Sequence, residues 1–155
     1  MRRASHAETH CSVARAIDVV GDPWTMLVVR EAFFGTTRFE AFQRALDIPR
    51  ATLSSRLDLL VERGVLERRP DAHRADRSTY HLTGKGRDLR PVLVTLMQWG
   101  DRWGGLDEPP VVLEEEGTGR RIQPVLVDAD TGVPLAELSV RAVRRIRPTT
   151  PPAPG

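Results

Sequence analysis

The chain of 155 residues contains one cysteine, one lysine and one tyrosine. A single thiol, Cys11, excludes a disulfide within the chain and any multi-cysteine zinc cage. No apolar stretch exceeds five residues, far short of the roughly 18 needed to span a bilayer. The first ten residues are basic and polar with no apolar segment behind them, so a secretory signal is not expected and a cytoplasmic, nucleoid-associated location is. Gly-rich phosphate loops are also missing, because Gly84-Lys85-Gly86 lacks the Walker spacing. His6, His10, His73 and His81 form no metal-ligand pattern, and no serine sits in a nucleophile elbow. These absences argue against an enzyme and against a resident metal or cofactor.

What is present is arginine. Of 23 basic residues 22 are arginine, and the formal net charge is only +2. The charge is unevenly spread: residues 1–103 carry +4 and residues 104–155 carry −2. Between Arg63 and Arg90 eight basic residues face four acidic ones, a local excess that can attract a polyanion.

Periodicity divides the first two thirds into helices and a hairpin. Val13, Ala16, Ile17 and Val20 recur at helical spacing before Gly21, predicting a helix over 12–20. Asp22-Pro23 is a helix-start pair, with a cap followed by a residue whose missing N–H costs nothing there. The helix it opens is predicted to run through Trp24 to Phe34. A short helix is expected over 39–46. After the Asp47-Ile48-Pro49 break comes a fourth over 50–63, with Leu53, Leu57, Leu60 and Val61 on one side. Val65–Arg69 and Ser78–Leu82 read as two strands around a flexible polar loop, residues 70–77. Thr83 is expected to cap one long helix over 84–103. Its apolar positions, Leu89, Val92, Leu93, Leu96, Trp99 and Trp103, exceed what one small core needs, which favours packing against another chain.

The order helix, short helix, tight turn, helix, hairpin is that of a winged helix-turn-helix. The fold class expected is mainly α with a small β wing. The fourth helix offers Arg50, Thr52, Ser54, Ser55 and Arg56 near its start, where side chains can reach base edges in a major groove. Arg68, Arg69, His73, Arg74 and Arg77 on the hairpin suit phosphates or a minor groove. Arg38 is counted with them. Truncating Arg50 or Arg56 is accordingly expected to weaken specific binding. A winged helix that grips an acidic protein instead of DNA is the alternative.

Several further segments resemble the HxlR-type regulators. They are Gly21-Asp22-Pro23-Trp24-Thr25, Arg30-Glu31, Gly35–Phe39, Thr52–Leu57, Leu60, Gly64-Val65-Leu66 and Tyr80–Gly86, in the family's order and spacing over residues 11–103. The resemblance implies a homodimeric bacterial transcription factor on a pseudo-palindromic operator. It also implies that the first and last helices of the domain form the dimer, through Val13, Ile17, Leu93, Leu96, Trp99 and Trp103. Some members of that family sense oxidants through a cysteine just before the first helix, where Cys11 stands. Ser12 departs from the proline common there, and a small residue that merely caps the helix is the other reading of Cys11. A small-molecule effector could lodge among Trp24, Phe33, Phe34, Trp99 and Trp103.

The organisation expected is a flexible arm over 1–10, the winged-helix and dimerisation domain over 11–103, a small β-rich extension over 104–147 and a disordered tail over 148–155. In the extension, runs at 111–113, 122–127 and 138–143 read as strands between turns at Thr118-Gly119 and Thr131-Gly132. The two turns resemble zinc-ribbon knuckles without cysteines, and Asp128 and Asp130 are read as solvated carboxylates.

Overall fold

The computed structural model describes residues 11–71 and 74–143. The arm, His73 and the tail fall outside the described residues. The chain divides into two compact units between Leu106 and Asp107.

The first unit is helical with one hairpin. Helix α1 (Ser12–Val20) and α2 (Pro23–Phe33) meet at Gly21-Asp22. Asp22 caps α2: its Oδ1 accepts from the amides of Trp24 at 3.1 Å and Thr25 at 3.2 Å. Helix α3 (Phe39–Leu46) turns into α4 (Arg50–Glu62) through Asp47, which stands in the left-handed region at φ 48°. An Asp tolerates that conformation better than most non-glycine residues. The core forms where α2, α3, α4 and the hairpin converge. Val28, Val29, Phe42, Leu53, Leu57 and Leu60 are fully enclosed, with Ile48, Val65, Leu66 and Tyr80 around them. Leu53, Leu57 and Leu60 are the stripe the periodicity predicted on α4; Val61 is only partly buried.

Strands β1 (Leu66–Asp71) and β2 (Arg74–Leu82) pair antiparallel, Leu66 opposite Leu82 and Arg68 opposite Tyr80. The flexible loop expected over 70–77 is therefore mostly strand. Pairing continues through Pro70 opposite Ser78 and Asp71 opposite Arg74, with an irregularity between Pro70 and Asp71. Pro70 is tolerated because an edge strand can lack one ladder donor. The hairpin is anchored at its other edge by Tyr80 N–H donating to the Thr37 carbonyl at 2.8 Å and by a bridge between Arg38 and Thr79.

The single helix expected over 84–103 is two. A one-turn α5 (Gly84–Arg87) is followed by α6 (Arg90–Trp103). Pro91 explains the break, since it has no N–H to give a preceding turn but fits the first turn of a new helix. At α5 the chain passes very close to the end of α4. Thr83 Oγ1 donates to the Gly64 carbonyl at 2.7 Å and accepts from the Gly86 amide at 3.1 Å, while Lys85 Nζ reaches the Arg63 carbonyl at 2.7 Å. A Cβ on Gly86 would lie 2.2 Å from the Val65 carbonyl oxygen, a backbone atom with no rotamer to change. Gly86→Ala is therefore expected to destabilise the first unit by about 1–3 kcal/mol, the usual range for overpacking, read as a fall in urea midpoint at unchanged m-value.

The second unit has little regular structure. Strands β3 (Leu113–Glu114) and β4 (Arg121–Ile122) pair antiparallel, Val127 bridges Pro134, and a 3-10 turn covers Leu135–Glu137. Of the strand expected over 122–127 only Ile122, in β4, and the isolated bridge at Val127 form, with Pro124 between them, and the strand expected over 138–143 does not form: Leu138–Val143 has no pairing partner among the described residues. Asp128 turns its carboxylate onto its own loop, accepting from Thr131 Oγ1 at 2.8 Å and from the Thr131 amide at 2.9 Å. The Thr131 hydroxyl and amide hold that carboxyl below its ordinary range. No described residue of this unit is buried. Among the described residues no helix is long and apolar enough to cross a membrane.

Candidate nucleic-acid interface

Burial of Leu53, Leu57 and Leu60 fixes which face of α4 is left over. Arg50, Ala51, Ser54, Ser55, Asp58 and Glu62 are exposed, and Thr52 is half-buried. Arg50 lies over the ring of Phe39 with its guanidinium carbon 4.7 Å from the ring centroid, a stacking that restrains a long side chain at the mouth of the turn.

Arg56 is placed differently. It lies three residues beyond Leu53 and four before Leu60, so helical geometry sets it on the flank of the buried stripe. Its Nε donates to Asp22 Oδ1 at 2.8 Å and its second terminal nitrogen to Asp22 Oδ2 at 3.0 Å. The guanidinium is thus forked onto the cap of α2. Partial burial of Asp22 works against its charge, but the Arg56 hydrogen bonds and the Thr25 and Trp24 amides outweigh it and hold the carboxyl below its ordinary range.

The arginines of the hairpin are also engaged locally. Arg68 donates to the Tyr80 hydroxyl at 2.8 Å, and Arg69 pairs with Glu67. Arg38, at the start of α3, pairs at 3.1 Å with Asp71, whose side chain is only 5% exposed. Arg77 pairs with Glu40 at 3.5 Å. Arg74 makes no ion pair among the described residues. Arg38, Glu40, Asp71, Arg74, Arg77 and Ser78 line an open cleft of about 320 Å³ between α3 and the hairpin. Asp71 and Glu40 as partners of Arg38 and Arg77 had no sequence signal, because the pairs bridge elements far apart in the chain.

The expected dimer residues divide between two faces. Leu93 packs against the core, together with Leu89. Val92, Leu96, Trp99 and Trp103 form an outward stripe at spacings of four, three and four, with Trp99 65% and Trp103 68% exposed. Val13 and Ile17 are exposed on α1. Val92 belongs to the apolar stripe read from the periodicity but not to the dimer residues the resemblance implied; its position four residues before Leu96 places it on the outward face. Of the aromatic set considered for an effector, Trp24 and Phe33 pack on the core and Phe34 is exposed.

Cys11 is the N-cap of α1. Its exposed sulfur accepts from the Ala14 amide at 3.5 Å.

The HxlR-like helix-turn-helix profile matches residues 19–108. The chain belongs to that family. An uncharacterised HTH-type transcriptional regulator of Mycobacterium tuberculosis, MT3179, is 43% identical over 152 residues, which is 97% of this chain and 91% of that protein. The HTH-type regulator YvaP of Bacillus subtilis is 32% identical over 57% of this chain and 83% of its own. The crystal structure of PA1607, described as a candidate transcription factor, superposes with a TM-score of 0.81 at 41% identity, spanning 92% of this chain and all 100% of that one. HypR, described as a redox regulator, superposes in its oxidised form with a TM-score of 0.54 at 29% identity, over 59% of this chain and 96% of its own. This HxlR-like protein is a transcriptional regulator of the helix-turn-helix type with a winged-helix fold, a family whose partner is DNA.

Proposed function

We propose that this HxlR-like protein is a homodimeric repressor that lays α4 in the major groove of a pseudo-palindromic operator. The observation that carries this reading is the exposed face of α4, where Arg50, Ser54 and Ser55 stand opposite the buried leucines and beside a cationic hairpin. Arg50 has the fork geometry for guanine, and the two hydroxyls reach bases or phosphates. The outward stripe of α6 supplies the second subunit's seat, together with Val13 and Ile17. Two copies related by a two-fold axis place their α4 helices roughly 34 Å apart, one turn of DNA.

Genome-wide footprinting with the purified protein tests this, followed by gel shifts on the recovered sites with competitor DNA and competitor acidic protein. Protection of paired half-sites is expected, displaced by DNA alone. No protection at low salt defeats the reading. Within it, Arg74 and Arg77 contact phosphates. Each change to alanine is expected to weaken specific and non-specific duplexes alike and to lower the slope of log K against log salt by about 1.

Operator affinity is set by a small molecule or by modification of Cys11. The thiol reading is favoured by the position of Cys11 at an exposed helix start beside the dimer face, and by a redox regulator among the structural relatives. Diamide is expected to change operator affinity of the wild type and to leave Cys11→Ser unaffected. An equal response from both proteins removes the sensor.

A further inference from the structure

We infer that Asp22 and Arg56 form a strut that sets the rotation of α4 relative to the α1–α2 corner, making Arg56 a positioning residue and not a base reader. The inference rests on the reading of α4 as the DNA-facing helix.

The leucine stripe alone does not fix that rotation. Contacts among Leu53, Leu57, Leu60 and the core are apolar and non-directional, and they tolerate small turns of the helix about its axis. A forked guanidinium–carboxylate pair is directional. Here it is made by both carboxylate oxygens of Asp22, at 2.8 and 3.0 Å, with side chains only 27% and 25% exposed. Asp22 is in turn fixed to the first turn of α2 by the Trp24 and Thr25 amides and, at 3.5 Å, by the Thr25 hydroxyl, whose residue is fully buried. The α2 contacts all fall on Oδ1, and Arg56 is the cationic partner of both oxygens, so releasing Arg56 to DNA would leave a partly buried, unbalanced acid behind.

The pair spans 34 residues of sequence and joins the recognition helix to the point where α1 ends. Base readout requires side chains held to within about 0.5 Å and 10–20°. Ser54 and Ser55 precede Arg56 on the same helix, so a turn of α4 moves both hydroxyls off their targets. The α1–α2 corner is thereby the place from which an event on α1 reaches the reading face.

The test is a double-mutant cycle read by operator affinity, with Asp22→Asn, Arg56→Gln and the pair of changes together. Asparagine is as good an N-cap as aspartate, so Asp22→Asn keeps α2 capped while removing the charged fork. It also removes a negative charge from a DNA-binding surface. Plain electrostatics then demands tighter binding, whereas the strut demands weaker. We expect each single variant to bind the operator about tenfold more weakly and the double variant to be no weaker than either single one. The base-preference profile is expected to be unchanged, and so is the salt slope of Asp22→Asn.

Thermal melts beside each titration confirm that the fraction folded at the assay temperature is the same. Unchanged or tighter binding by Asp22→Asn overturns the strut, as does additivity of the two changes. Loss of preference at one base position in Arg56→Gln also overturns it, returning Arg56 to the bases. A wild-type protein that selects no operator defeats the DNA reading itself, a result distinct from any of these.

Discussion

Replacing Trp99 with aspartate is expected to turn the protein into monomers at micromolar concentration and to abolish operator binding while leaving the helical content unchanged. The side chain is 65% exposed on the single subunit and lies mid-way along the stripe of Val92, Leu96, Trp99 and Trp103. A tryptophan buries 150–250 Å² when covered, and centrally placed tryptophans are the side chains whose loss costs interfaces about 2 kcal/mol or more. In a two-fold dimer each substitution is made twice across one interface, and the new carboxylates meet apolar surface. The combined loss is on the order of 4 kcal/mol, roughly a thousandfold in the dimer dissociation constant. Sedimentation equilibrium reads it directly. Because Trp99 makes no core contact, the melting profile of the monomeric variant should retain its cooperativity. Wild-type protein that sediments as a monomer removes the two-fold operator geometry, and Trp99→Asp that still dimerises removes α6 from the interface.

Phe42→Ala is expected to have the largest effect on stability, a loss of about 3–5 kcal/mol in denaturant unfolding. Phe42 is fully enclosed on α3, packed among the buried residues of α2 and α4. Truncation removes most of a ring and leaves a cavity among Val28, Val29 and the α4 leucines that fixed helices cannot close. Against the 5–15 kcal/mol that holds a typical domain, this is a large share. Operator binding should fall with the folded fraction, recovering at lower temperature or denaturant. Phe42→Leu, which refills most of the volume, is expected to restore the greater part of both. A loss below about 1 kcal/mol for Phe42→Ala would contradict the enclosure.

The elements that depend on local chemistry were readable from the chain. Asp22-Pro23 announced α2, Asp47-Ile48-Pro49 announced the turn before α4, and Leu53, Leu57 and Leu60 announced the face it buries. These signals lie within a few residues of what they specify. The hairpin was visible in composition, but its length was not. Pro70 and the charged run after it read as loop, and only pairing across to β2 makes strand of them. The break at Pro91 was available and was outweighed by the apolar periodicity on either side of it. In the second unit the β-like composition exceeds the pairing: Leu113–Glu114 finds Arg121–Ile122, while Leu138–Val143 finds no partner among the described residues, and strands exist only in pairs.

The candidate site was half legible. Residue types on α4 and the hairpin pointed to nucleic acid, and helical spacing separated Ser54 and Ser55 from the core. Which arginines are free to act was decided elsewhere. Arg56 goes to Asp22 and Arg38 to the buried Asp71, whereas Arg77 meets Glu40 at 3.5 Å with both side chains half exposed, an open pair that yields to a phosphate; each pair joins elements with no proximity in the chain. On α6, Leu93 and Leu96 are equally apolar, yet one faces the core and the other does not.

Sequence alone determined helices α1 to α4, the cap of α2 and the chemistry of the exposed face of α4, because short-range sterics and periodic burial specify those within one or two turns. Tertiary structure decided which cations are already held by carboxylates and which apolar stripe is left uncovered. Both depend on distances between segments that meet only when the core closes.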